Sequence, residues 1–130
     1  MQLSLLILGA PYSSQSATTA LRFAKAALES GHNLYRVFFY NNAVNTGSSL
    51  ITPPQDEQNI PEQWQALAAD NDIDLVVCVA SALKRGILDS TEAERHEKPA
   101  NNLAEGFEIS GLGQLIDASV QSDRLITFGS

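Results

Sequence analysis

The chain has 130 residues, 44% of them apolar and 18% charged, with 15 acidic side chains against 8 basic ones and a net charge of −7. That length suits one core in a single domain, residues 1–130, and the composition is that of an ordinary globular protein. The acidic balance argues against a direct grip on a nucleic-acid backbone, which needs clustered Lys and Arg. No apolar run approaches the roughly 20 residues that cross a bilayer, so no membrane contact is expected.

The first segment, Met1-Gln2-Leu3-Ser4-Leu5-Leu6-Ile7-Leu8-Gly9, lacks the basic start and the long apolar run of a secretory leader. Leu3 to Leu8 reads instead as a strand covered on both faces. With one cysteine and no leader, the expected location is the reducing cytoplasm. Gly9-Ala10-Pro11-Tyr12-Ser13-Ser14 ends the strand. A helix follows with Ala17, Ala20, Leu21, Ala24, Ala27 and Leu28 on one face, capped by Ser14 or Ser16 and stopped at Gly31. Leu34 to Tyr40 is a second strand, rich in aromatic and β-branched types. A polar connection from Asn41 to about Asn59 comes next, of a length that usually carries function or meets a partner. Pro61 opens another helix through Trp64.

Asp74 to Ala80 is the most strand-like run, and it holds the only cysteine, Cys78. Ser81 to Arg85 forms a short helix ended by Gly86. Thr91 to Asn102 is polar, and the spacing of Glu92, Glu94 and Glu97 matches no metal site, so a solvated face is expected there. Phe107-Glu108-Ile109 is too short to assign. Ser110 to Val120 predicts a last helix starting at Ser110, and Arg124 to Gly129 a last strand. The alternation of strands and helices predicts an α/β fold, a three-layer sandwich with a mainly parallel sheet flanked by helices. In such folds the site lies beyond the carboxyl ends of the strands. Gly9–Ser16, the segment after Tyr40 and the turn at Cys78–Ser81 should therefore share one edge.

A lone thiol forms no internal disulfide and no four-ligand metal site. Inside a valine run it is most simply a small packing residue. Three features favour a reactive thiol instead. Cys78 ends its strand, the next helix aims backbone N–H groups at the turn, and Lys84 and Arg85 follow closely as candidate anion stabilisers. The same basic pair also suits a helix C-terminus before Gly86. A Cys–His hydrolase is poorly supported: His32 follows a helix stop, and His96 lies in the charged stretch. The Gly9–Ser16 loop could cradle a phosphate of a flavin or nucleotide, although it has neither G-x-x-x-x-G-K-[ST] nor G-x-G-x-x-G.

Several motifs along the whole chain resemble one family. They are Val37-Phe38-Phe39-Tyr40, Thr52-Pro53-Pro54-Gln55-Asp56, Val77-Cys78-Val79-Ala80, Arg85-Gly86-Ile87 with Asp89, Ile109-Ser110-Gly111-Leu112-Gly113-Gln114-Leu115, and Asp123-Arg124. Together they resemble the DsrE/TusD family of intracellular sulfur-relay proteins. The resemblance implies a DsrE-like fold and a sulfurtransferase whose strand-end cysteine, here Cys78, carries sulfane sulfur as a persulfide without cofactor or metal. It also implies paralogous subunits in a heterohexamer, TusB and TusC for the TusD branch or DsrF and DsrH for the DsrE branch, with separate donor and acceptor carrier proteins. The TusD branch serves tRNA wobble-uridine thiolation and is the more widespread. The DsrE branch serves sulfur oxidation. The rival reading is a scaffold subunit with a structural Cys78.

Overall fold

The structure, a computed structural model, describes residues 1–129. Its frame is a five-stranded sheet in the order β4-β3-β2-β1-β5, every pair parallel. The strands are β1 (Gln2–Ile7), β2 (Asn33–Phe39), β3 (Asp74–Cys78), β4 (Phe107–Ser110) and β5 (Arg124–Phe128). The helices are α1 (Gln15–Glu29), α2 (Ile60–Asn71), α3 (Val79–Lys84), α4 (Ser90–Arg95) and α5 (Gly113–Gln121), and a 3-10 segment runs over Asn41–Gly47. The expected α/β architecture is borne out.

Alternation along β2 defines the layers. Arg36 and Phe39 are an odd number of residues apart and point to opposite faces. Phe39 packs edge-on against Trp64 of α2, with ring centroids 5.7 Å apart. Arg36 donates to Asp117 of α5 at 2.8 Å. Helices therefore cover both faces, and β1, β2 and β3 are apolar on both sides. Leu5, Val37, Phe38, Val76 and Val77 are fully buried.

Local chemistry explains most helix ends. Ser14 caps α1 by accepting from the Ser16 amide at 3.2 Å, and Gly31 takes φ +88° just beyond the helix. Asn59 caps α2 by accepting from the Glu62 amide, with Pro61 in the first turn.

The structure corrects two boundaries and assigns two segments that the sequence left open. Phe107–Ser110 is the strand β4, because it completes a sheet edge against β3 in the register Leu75 to Phe107 through Cys78 to Ser110. Ser110 is thus the last strand residue and not a helix cap; α5 starts at Gly113. β3 stops at Cys78 and α3 begins at Val79, two residues before Ser81. The polar stretch after Ser90 contains α4, capped by Asp89, whose carboxylate accepts from the Glu92 amide at 2.8 Å.

Candidate functional site

Because all five strands run the same way, their carboxyl ends form one edge. Gly9–Ser16, the 3-10 segment and the β3–α3 junction meet there, as the sequence predicts. Cys78 is both the last residue of β3 and the cap residue just before α3. Its backbone is extended, with φ −64° and ψ 126°, and its side chain makes no capping hydrogen bond. The first-turn amides of α3 therefore have no side-chain cap at the turn that carries the sulfur. The residue is 2% exposed and belongs to the apolar core.

The candidate anion stabilisers have different fates. Arg85 donates from Nε to Asn42 Oδ1 at 2.9 Å and from Nη1 to the Ser81 carbonyl at 3.2 Å. Its guanidinium thus closes the carbonyl end of α3 and holds the 3-10 segment. Lys84 is exposed in the last turn of α3 and forms no ion pair among the described residues. Neither side chain is hydrogen-bonded to the sulfur.

The remaining polar candidates are occupied. In the first loop, the Ser14 and Ser16 hydroxyls bond each other at 2.7 Å. A Cβ on Gly9 would collide with both, so this residue must be glycine for the loop to close. Tyr12, at φ +68°, accepts from the Ile60 amide at 3.1 Å and donates to the Gln58 carbonyl at 2.7 Å. The loop is a brace for the start of α2. His32 lies 3.1 Å from the amino terminus. His96 is 3.4 Å from Glu92. Glu92 itself contradicts the expected solvated face. It is buried in the first turn of α4, where its carboxylate takes Arg95 at 2.7 Å.

A cavity of about 640 Å³ is lined by Leu50, Leu83, Leu88, His96, Lys98 and Pro99 among others. It adjoins the far end of α3, and Cys78 is not part of its wall. Asn42 and Ser81 are the residues at this edge that sequence reasoning missed. Ser81 Oγ accepts from the Asn41 amide at 3.2 Å. No local pattern marks these partners, which lie about forty residues apart in the chain.

Residues 1–128 match the model of the DsrE/DsrF-like family. DsrE of Allochromatium vinosum is 50% identical over 129 residues, covering 99% of each chain. A protein of Pseudomonas aeruginosa named sulfurtransferase TusD homolog is 46% identical over 119 residues, 92% of this chain and 91% of that one. Sulfurtransferase TusD of Salmonella enteritidis is 44% identical over 128 residues, 98% of this chain and all of its own. Among solved structures, the ychN protein of E. coli superposes with a TM-score of 0.74 at 26% identity, covering 98% of this chain and 100% of that one. The chain therefore belongs to the DsrE/DsrF-like family and, among relatives that bear the name sulfurtransferase, is an enzyme of that class.

Proposed function

We propose that Cys78 is the sulfur-carrying residue of this sulfurtransferase, and that it works as a persulfide relay. The observation that carries this reading is the position of the chain's only thiol at the junction of β3 and α3, on the carboxyl edge of the sheet. The Cys78 thiolate attacks the outer sulfur of a donor persulfide. The donor's S–S bond breaks, its cysteine leaves as a thiolate, and Cys78 holds S–S⁻. An acceptor thiolate then attacks that outer sulfur and releases Cys78 as a thiolate. Sulfane sulfur and electron pairs are conserved in both steps, so neither needs an external oxidant or cofactor. Of the two cations, Lys84 has uncommitted donors and adds a weak, screened attraction for the anion. Arg85 contributes mainly by holding its present partners.

The chain acts in a cytoplasmic assembly with paralogous subunits and with separate donor and acceptor carriers. An exposed apolar stripe on and just before α5, Leu112 at 48%, Ile116 at 65% and Val120 at 73%, supports an assembled state. The sulfur is destined for the tRNA wobble uridine, in line with the relatives named TusD. The other reading, a sulfur-oxidation subunit, is favoured by the 50% identity to DsrE of Allochromatium vinosum. Complementation of a strain lacking its TusD separates the two: restored 2-thiouridine supports the first reading and its absence the second.

Incubation with a persulfide donor followed by intact mass measurement tests the chemistry. The wild type gains about 32 Da, one sulfur atom, reversible by thiol reductant, and Cys78→Ser gains nothing. A folded wild type that stays unloaded under conditions that load another carrier protein overturns the proposal.

A further inference from the structure

The cavity at the far end of α3 combines an apolar wall with cationic groups. Leu83 and Leu88, both half-buried, line it together with Pro99 and with Leu50, which is 72% exposed. Its volume of about 640 Å³ lies within the roughly 300–1,000 Å³ of ordinary ligand sites. The ionisable groups on its wall are His96 and Lys98 alone. His96 is 3.4 Å from the buried Glu92, which partly compensates it. Lys98 is exposed and forms no ion pair among the described residues. Glu97, also exposed, is not part of the wall. On a chain of net charge −7, this is an apolar opening without a carboxylate on its wall. An acidic partner is repelled by most of the surface and accepted here.

The main chain beside the cavity has unused hydrogen-bonding groups. Ala104 donates to the Gly47 carbonyl at 2.7 Å, Ser49 donates to the Asn102 carbonyl at 2.6 Å, and Ser48 pairs antiparallel with Leu103. This short ladder stops at Asn102. Asn101 and Ala100 come next, line the cavity and are exposed. Neither the amide nor the carbonyl of either residue has a hydrogen-bond partner among the described residues. An unpaired edge of this kind accepts an extended segment through main-chain bonds. Successive side chains of such a segment point to opposite faces. A segment that alternates apolar and acidic residues therefore turns one face to the leucines and leaves its carboxylates for Lys98.

We propose that this groove is the docking site for an extended segment of a sulfur-carrier protein, apolar and acidic by turns, that adds to the Ala100–Asn101 edge. The identity of the partner rests on the relay reading of Cys78; the binding does not. Leu83 follows Cys78 by five residues through α3, about 8 Å along the axis at roughly 1.5 Å per residue. About two or three extended residues cover that distance. A carrier anchored at Leu83 is thus held beside the β3–α3 edge by contacts that do not involve the sulfur.

The test is a titration of the isotope-labelled full chain with a terminally blocked hexapeptide of alternating Glu and Leu, read by amide NMR shifts. The shifts should concentrate on Leu50, Leu83, Leu88, Ala100 and Asn101, and should be the same in Cys78→Ser. The counterpart peptide with Lys in place of Glu should leave these amides unmoved. Lys98→Glu should weaken binding of the acidic peptide about fivefold at low salt, and 1 M salt should erase that difference. N-methylation of the peptide main chain should abolish binding, because the edge bonds are lost. Ala100→Trp, which fills the groove from an exposed position, should abolish it as well, with a urea melt to show that the variant is folded. Shifts scattered over the surface overturn the proposal, as do equal shifts with the Lys peptide. So does movement of the same amides with protein concentration alone, which would make a second copy of this chain the occupant. If the acidic peptide binds in the groove and no sulfur loads on Cys78, the relay reading fails and the docking site stands. If sulfur loads and the peptide leaves the groove amides unmoved, the reverse holds.

Discussion

Arg36, near the start of β2, and Asn41, just past its end, lie at opposite edges of the same sheet, and the polar groups around them are used differently. Arg36 is buried and reaches two carboxylates and one carbonyl: Asp117 at 2.8 Å, Asp74 at 3.0 Å and the Gln114 carbonyl at 2.9 Å. Tyr35 adds a bond to the same Asp117 oxygen at 2.7 Å. This cluster locks α5 onto the amino-terminal edge of the sheet. Around Asn41 there is no ion pair among the described residues, only a hydroxyl, an amide and one guanidinium spread over the 3-10 segment and α3. The firm charges hold the amino-terminal edge. The edge that carries the thiol is held by bonds each worth about 1 kcal/mol.

If that division is right, breaking the Arg36 cluster should harm the fold and spare the chemistry. Arg36→Leu should lower stability by about 1–3 kcal/mol, because it strands the Gln114 carbonyl while leaving half-exposed carboxylates that water can serve. Sulfur loading per folded molecule should stay as in the wild type. A loss of loading in a variant that still melts cooperatively would mean that the two edges are coupled, and the contrast between them would fall.

How far the chain announces this arrangement depends on the range of the interactions. The buried runs Leu3–Leu8, Leu34–Tyr40 and Leu75–Cys78 carry their own strand signal, and Gly31 and Pro61 carry their own helix boundaries, since each acts through its own backbone. Cys78 at a strand end could be placed by the same means. β4 could not. Its four residues become a strand only because β3 offers them an edge, and that same pairing with Cys78 draws Ser110 out of the helix it was expected to cap. Glu92 reads as one more surface carboxylate in a charged run until α4 turns it inward toward Arg95. Arg85 reads as a partner for the thiol because it follows Cys78 closely in the chain. Its side-chain partner is instead Asn42, 43 residues away, in a stretch with no periodicity to betray it.

Acid should sharpen the contrast from the other side. The Tyr35 hydroxyl and the Arg36 guanidinium hold the Asp117 carboxyl below its ordinary value of 3.8. A carboxyl whose pKa is lower in the folded state stabilises the fold above its unfolded pKa. That contribution disappears as pH falls through the folded value. The wild type should therefore resist urea better than Asp117→Asn at pH 7, with the gap closing as the pH falls below the ordinary value of 3.8 and through the lower folded one. Alkylation of Cys78 by iodoacetamide, compared at equal global stability, should not follow that titration. A gap of the same size at both ends of the range would show that Asp117 acts through packing and not through charge.

The smallest effect belongs to Lys84, and it decides how the sulfur's charge is managed. An exposed ammonium one short helix away gives the persulfide only a screened attraction. Lys84→Ala should then slow loading by about twofold at low salt and not at all near 1 M salt, where the screening length is about 3 Å. Alkylation by neutral iodoacetamide should scarcely change. A loss of about tenfold or more that persists in high salt would require the ammonium to touch the sulfur. The carboxyl edge would then hold a firm charge of its own, and the division between a charged edge and a neutral one would fall.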